Sequence, residues 1–248
     1  MFRYRQNKKD DSLFRIAIKD LAQSRPRYGY KRIMILLQRQ GYKIGKNKTY
    51  RIYKEEGLQV RTKRRKKTVS RLRTTLPRPR SINKVWSMDF VHDELTSGQK
   101  IRMLTIVDHF SRESVAVDVD FGLKAIDVIN CLERLKITRG IPKIISVDNG
   151  SEFSGKEMEK WAFENNVKLR FIRPGKPVEN AYIESFNGRL RDECLNANIF
   201  YSIDDAKKII EDWRNEYNNW RPHSGLGNLT PKEYFDKYNN PEDLENDA

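Results

Sequence analysis

The chain has 248 residues, 38% of them hydrophobic and 33% charged, which suits one large domain or two modest ones. No apolar run is long enough to span a bilayer, the N-terminus has no apolar signal core, and Cys131 and Cys194 lack metal-finger spacing, so a cytoplasmic protein without a disulfide framework is expected. The net charge of +15 is lopsided: residues 1–80 hold 26 Lys and Arg against 5 Asp and Glu, a balance of +21, while the remaining 168 hold 23 against 29.

Such a basic first third suits a polyanion, because each phosphate neutralised releases condensed counterions. A solvated basic arm is the plainer reading, and an anionic membrane is disfavoured because the basic run has no apolar face. Residues 12–23 read as a helix with Leu13, Ile16 and Leu21 near one face. After Arg27-Tyr28-Gly29-Tyr30 a second helical pattern carries Ile33, Leu36 and Leu37 and stops at Gly41. A third helix fits 46–56 and ends at Gly57, so a short Gly-containing turn joins two helices. That is the outline of a helix-turn-helix, whose second helix would present Lys46, Asn47, Lys48, Arg51 and Lys54 to DNA. An ordinary helical hairpin has the same outline. Residues 58–83 read as a linker, and Arg64, Arg65, Lys66 and Lys67 within it suit a phosphate backbone.

From Lys84 the periodicity changes. Residues 84–92, 101–107 and 113–120 read as strands joined by short loops, and 123–137 as a helix with Ala125, Val128, Ile129, Leu132 and Leu135 on one face. A short, nearly all-apolar strand over 143–147 suits a buried place in a sheet. A helix over 155–165, a strand over 167–172 and helices over 179–195 and 203–219 follow. Three consecutive strands, then helix–strand–helix–strand–helix, predict an α/β mixed sheet with helices on both faces, the element order of the ribonuclease-H-like fold. The expected divisions are a helical DNA-binding domain over 1–57, the linker over 58–83, a mixed-sheet ribonuclease-H-like core over 84–200 and a helical extension over 201–248.

Three acids stand out. Asp89 interrupts the apolar strand Val85-Trp86-Ser87-Met88-Asp89-Phe90, where a carboxylate needs a reason. Asp148 ends the strand Ile144–Val147, and ligand sites in open sheets gather at the carboxyl ends of strands. Glu184 lies beside the apolar stripe Ile183, Phe186, Leu190 and Cys194 of a helix, with Asn187 and Arg191 near the same line. Each alone reads equally as a turn or surface acid, but three carboxylates brought together would repel unless cations compensate. Asp108 reads as a turn-capping acid rather than a ligand. His92, His109 and His223 are too scattered for a zinc set, and the His223 loop reads as structural or DNA-facing.

Asp89, Asp148 and Glu184, with 35 residues between the last two, resemble the signature of the transposase and retroviral-integrase superfamily. Within it the chain is similar to the downstream (OrfB) product of bacterial insertion-sequence transposases made from two reading frames. The resemblance runs from Arg27-Tyr28-Gly29-Tyr30-Lys31-Arg32-Ile33 through Trp86-Ser87-Met88-Asp89-Phe90, Asp108-His109-Phe110-Ser111-Arg112 and Val147-Asp148-Asn149-Gly150-Ser151-Glu152-Phe153. It continues through Ile183-Glu184-Ser185-Phe186-Asn187-Gly188-Arg189-Leu190-Arg191 to Tyr217-Asn218-Asn219-Trp220-Arg221-Pro222-His223, and covers roughly residues 25–237 in one order. It implies that Asp89, Asp148 and Glu184 bind two Mg²⁺ or Mn²⁺ ions, and that the chain cleaves DNA with water and joins strands through a DNA 3′-hydroxyl. It implies Arg191 as a DNA contact near the cleaved end, a homo-oligomer on paired element ends and target DNA, a bacterial nucleoid location, and an upstream-frame partner. A DNA-binding regulator without catalysis and a metal-dependent nuclease without strand transfer are the alternative functions.

Overall fold

A computed structural model of the chain describes residues 10–60, 79–173 and 180–239. Arg64, Arg65, Lys66 and Lys67 lie outside the described residues. The chain divides between Thr68 and Val69 into two compact units, each with its own apolar core.

The N-terminal unit holds helices α1 (Ser12–Ser24), α2 (Tyr30–Arg39) and α3 (Lys46–Glu55). Gly41 and Gly57 follow the last two at φ +88° and +68°, the left-handed conformation that ends helices and that glycine adopts without steric cost. Ile33, Leu36 and Leu37 of α2 are buried as their spacing predicts, together with Ile52 and Tyr53 of α3. In α1 the face differs from the expected one. Leu13 and Ile16 are exposed, whereas Ile18 and Leu21 are buried with Phe14 and Ala17 packed beside them. The stripe Phe14–Ala17–Ile18–Leu21 keeps strict 3- and 4-residue spacing, so it alone forms a continuous ridge against α2 and α3.

The second unit is built on one five-stranded sheet. Strands β1 (Val85–Glu94), β2 (Lys100–Asp108) and β3 (Ser114–Asp120) form an antiparallel meander, and β4 (Ile144–Val147) and β5 (Lys168–Phe171) add parallel on the other side of β1. The spatial order is β3-β2-β1-β4-β5. Helices α4 (Ala125–Thr138) and α5 (Lys156–Glu164) cover one face, and Trp86, Met88, Leu104, Ile106, Ile145 and Val147 meet them there. Helices α6 (Ala181–Glu193) and α7 (Ile203–Asn219) cover the other, over Val91, Met103, Val107, Val117 and Val119. Alternation along β1 therefore sends Trp86 and Met88 to one core and Ser87, Asp89 and Val91 to the face under α6.

Helix α7 falls within the residues expected to be an extension. Its Ala206, Ile210 and Tyr217 instead complete the core over β3, so the boundary at 200 does not divide the packing. The last helix among the described residues, α8 (Pro231–Asn239), packs through Tyr234 and Tyr238 on Phe110.

Candidate active site

Asp89 sits mid-strand on β1, opposite Thr105 of β2, on the face that α6 covers. Its Oδ1 accepts the Phe90 N–H at 2.8 Å and its Oδ2 accepts the Asn187 amide of α6 at 2.8 Å. The buried Thr105 hydroxyl lies 3.0 Å from both the Asp89 carbonyl oxygen and Asn187 Oδ1, closing a ring of polar contacts between sheet and helix. Burial holds the Asp89 carboxyl above the usual carboxylate range. The Phe90 N–H and the Asn187 amide pull it back, while the charges of Asp148 and Glu184 push it up.

Asp148 reaches the same end of the sheet through strand register. Ser87 of β1 pairs with Ser146 of β4 and the strands run parallel, so the residues two further on, Asp89 and Asp148, leave the pair side by side. Asp148 Oδ1 accepts the Gly150 N–H at 3.0 Å. A Cβ on Gly150 would stand 3.0 Å from that same oxygen, so a larger residue there would press on the Asp148 carboxylate. The loop is tied back by Glu152, which pairs with Arg102. The Arg102 guanidinium lies 3.6 Å over the Phe90 ring and donates to Leu123 O at 3.2 Å, and Phe90 stacks on Phe153 at 5.0 Å. Arg102 is the main reason the Glu152 carboxyl lies below its ordinary range.

Glu184 occupies the first turn of α6 and is exposed, while Ile183, Phe186 and Leu190 on the inner stripe are fully buried. Burying each of those three stabilises the docked helix by about 2 kcal/mol. Polar contacts then set its rotation. Tyr182 meets the His109 ring at 4.5 Å and the Arg112 guanidinium at 3.4 Å, further along Asn187 holds Asp89, and Arg191 Nη2 donates to His92 O at 3.0 Å. At its end the bidentate pair of Arg221 with Glu193, 2.6 and 2.8 Å, is almost wholly buried.

The three acids are thus electrostatic neighbours, but among the described residues no three His, Cys, Asp or Glu side chains stand close enough to ligate one ion. Around the Asp89 carboxylate stand two more acids, the Phe90 N–H and the Asn187 amide, and among the described residues it forms no ion pair. An all-oxygen acidic set suits a hard divalent cation, so the residues fit such an ion in kind. Asp108 is the cap that its sequence position suggests. It is fully buried and accepts from the N–H groups of Phe110 and Ser111 at 2.8 Å, from Asn83 N and from Trp86 Nε1. His109 bonds Ser87 through Nε2 and is buried. His223 is buried against the Tyr217 ring, which makes its loop structural. The contacts of Tyr182, Arg102 and Glu152 are not legible in the sequence, where Glu152 is one more acid near Asp148, since each depends on a partner that only the fold brings near.

Two expected DNA contacts are engaged inside the N-terminal unit. Lys48 Nζ lies 2.7 Å from Asp11 and 3.7 Å over the Phe14 ring, and Arg51 pairs with both Asp11 and Glu55. Lys46 is exposed as expected.

Family models described as integrase core domain match residues 79–177 and 165–231, and one described as HTH-like domain matches 8–66. The insertion element IS407 uncharacterized 31.7 kDa protein of Burkholderia multivorans is 43% identical over 219 residues, 88% of this chain and 79% of that protein. The chain belongs to the integrase-core transposases of bacterial insertion elements. A putative transposase, InsK of insertion sequence element IS150 from Escherichia coli, is 25% identical over 230 residues, 86% of this chain and 78% of its own length. The catalytic core domain of HTLV-2 integrase, solved in complex with magnesium, superposes with a TM-score of 0.52 at 19% identity, covering 64% of this chain and 99% of that one. That likeness shows the fold of the transposase core: an integrase-like mixed sheet of the ribonuclease-H type. No helix among the described residues is long and apolar enough to cross a membrane.

Proposed function

We propose that this transposase cuts and joins DNA at the ends of its element with Asp89, Asp148 and Glu184 as the catalytic carboxylates, acting in the bacterial cytoplasm on the nucleoid. The observation that carries the assignment is the half-buried Asp89, whose carboxyl sits beside two other acids at the carboxyl end of parallel strands. Two divalent cations, Mg²⁺ or Mn²⁺, would be held by these three side chains and would supply activation of the attacking oxygen and charge relief for the leaving one. Holding the ions would draw the three carboxylates closer together than they stand, and Asp89 Oδ2 keeps a lone pair for a cation beside the bond it accepts from the Asn187 amide.

Two displacements at phosphorus then suffice. In cleavage a water oxygen attacks the phosphodiester and the element's 3′-oxygen leaves as a hydroxyl. In joining, that 3′-hydroxyl attacks a target phosphodiester, a new ester forms, and the target's own 3′-oxygen leaves. No bond to the protein is made at either step. The N-terminal unit and the basic run through Arg64–Lys67 would hold duplex DNA, chiefly by its phosphates, with Arg191 beside the cut end. Assembly as a homo-oligomer on paired ends and action with an upstream-frame partner belong to the same proposal.

Incubating the chain with a pre-cut terminal duplex, target DNA and Mg²⁺ tests this directly. Joined product is expected, and Glu184→Gln should lower its yield at least about a hundredfold while DNA binding persists. Cutting without joining would make the chain a nuclease, and binding without either would make it a regulator of element ends.

A further inference from the structure

The surface of α3 is divided into three sectors. Thr49, Ile52 and Tyr53 are buried in the core. Lys48, Arg51 and Glu55 face α1, where Asp11 holds Lys48 and Arg51, and Arg15 holds Glu55. The remaining sector carries Lys46, Asn47, Tyr50 and Lys54, all exposed, at helical positions that share one side. We propose that this third sector is the base-reading face of the transposase: it enters the major groove of the element's terminal repeat, with Asn47 and Tyr50 determining sequence preference. The inference rests on the reading above that the chain acts on element ends.

Charge decides which sector faces DNA. The described acids of this unit are Asp10, Asp11, Asp20, Glu55 and Glu56, and three of them (Asp11, Glu55 and Glu56) lie in the seam between α1 and α3. There they pair with Arg15, Lys19, Lys48 and Arg51 and offset most of their charge. A phosphate approaching that seam would meet carboxylates already paired with its would-be partners. On the third sector Lys46 and Lys54, with Lys43 in the preceding turn, are exposed and have no ion pair among the described residues. A polyanion is attracted there without first breaking an internal pair.

Chemistry decides what is read. Asn47 is the second residue of α3, and a recognition helix contacts base edges through its N-terminal residues. A carboxamide can donate to and accept from adenine on its major-groove edge, and an apolar ring edge suits a thymine methyl. Tyr50 is 48% exposed, and its ring is steadied by Tyr30 at 4.9 Å edge-to-face. A large aromatic held in place while exposed loses little further entropy on contact.

The test measures binding of the full chain to a duplex carrying the terminal repeat, found in the DNA flanking the gene, and to a shuffled duplex of the same length and composition. Asn47→Ala and Tyr50→Ala should each reduce the preference for the repeat by roughly tenfold or more, with affinity for the shuffled duplex changed less than about twofold. Lys48→Ala and Arg51→Ala should leave the preference within about threefold. Thermal melting of every variant controls for folding, and Asn47→Gln, which keeps the carboxamide, should retain more preference than Asn47→Ala. The inference is overturned if folded Asn47→Ala and Tyr50→Ala keep the wild-type preference, if folded Arg51→Ala loses it, or if the wild type has none. A chain that prefers the repeat yet joins no strands keeps this inference and loses the catalytic reading; one that joins strands without preference does the reverse.

Discussion

At the residue scale the account turns on Asp89 and the groups that hold it. Asn187 donates to a half-buried carboxylate, and such charge-assisted bonds contribute about 1.5–3 kcal/mol. Asn187→Ala should therefore lower the unfolding free energy by about 1–3 kcal/mol, and a double-mutant cycle with Asp89→Ala should show coupling. Strict additivity in denaturant titrations would mean that the contact contributes nothing. His109 offers a pH signature. Burial is the main cause of its pKa falling to about 3, so the folded protein keeps it neutral. An unfolded chain protonates it below about 6.5, which means that stability is fully present above that pH and is lost as pH falls toward 3. At pH 5 the loss amounts to about 2 kcal/mol. Asp89 and Glu113, raised by burial, work in the opposite direction, so the quantity to measure is the difference between wild type and His109→Gln at pH 7 and pH 5. The gap between the two proteins should change by that amount; an unchanged gap contradicts a buried neutral imidazole. The capping role of Asp108 was legible because it closes a strand before a turn, and the three acids draw attention in the sequence because Asp89 interrupts an apolar strand, Asp148 ends one and Glu184 lies beside an apolar stripe. The engagement of Lys48 and Arg51 was not, because Asp11 lies far away in the chain and a helical wheel shows a cation without showing its counter-charge.

At the scale of elements, helix α6 is what joins the chemistry to the fold. Its inner stripe docks it, and Tyr182, Asn187, Arg191 and Glu193 fix it along its length. In the Glu193–Arg221 pair Arg221 is buried and Glu193 nearly so, so removing Glu193 strands a buried charge. Glu193→Ala should cost about 3–5 kcal/mol, whereas Glu193→Leu combined with Arg221→Met should recover much of it. Chemical denaturation distinguishes these outcomes, and a single variant no worse than the double would refute the coupling. The elements from α1 to α7 were readable to within about two residues, since glycines end α2 and α3 and the apolar period switches at Lys84, whereas α8 was not marked as a separate helix. Which face of α1 would be buried was ambiguous, because Leu13 and Ile16 imitate a stripe that Phe14, Ala17, Ile18 and Leu21 complete better. The docking of α7 on β3 was hidden for a similar reason: its period reveals an apolar face but not the surface that receives it.

At the scale of the whole molecule, charge and chemistry are divided along the chain. Basic residues crowd residues 1–80, and the rest, carrying the three acids, is net negative. A duplex held by the first part would need that attraction to bring phosphates to an acidic sheet end. Deleting residues 1–80 should weaken DNA binding strongly and flatten the dependence of affinity on salt, read as the slope of log affinity against log salt concentration. An unchanged slope would remove the first third from DNA binding. The central claim is that Asp89, Asp148 and Glu184 act together on bound cations. Its most direct measurement is Mg²⁺ or Mn²⁺ binding by calorimetry to the DNA-loaded transposase and to its Asp89→Asn, Asp148→Asn and Glu184→Gln variants. Each variant should lose at least one ion's heat of binding, and unchanged binding in all three would contradict the account.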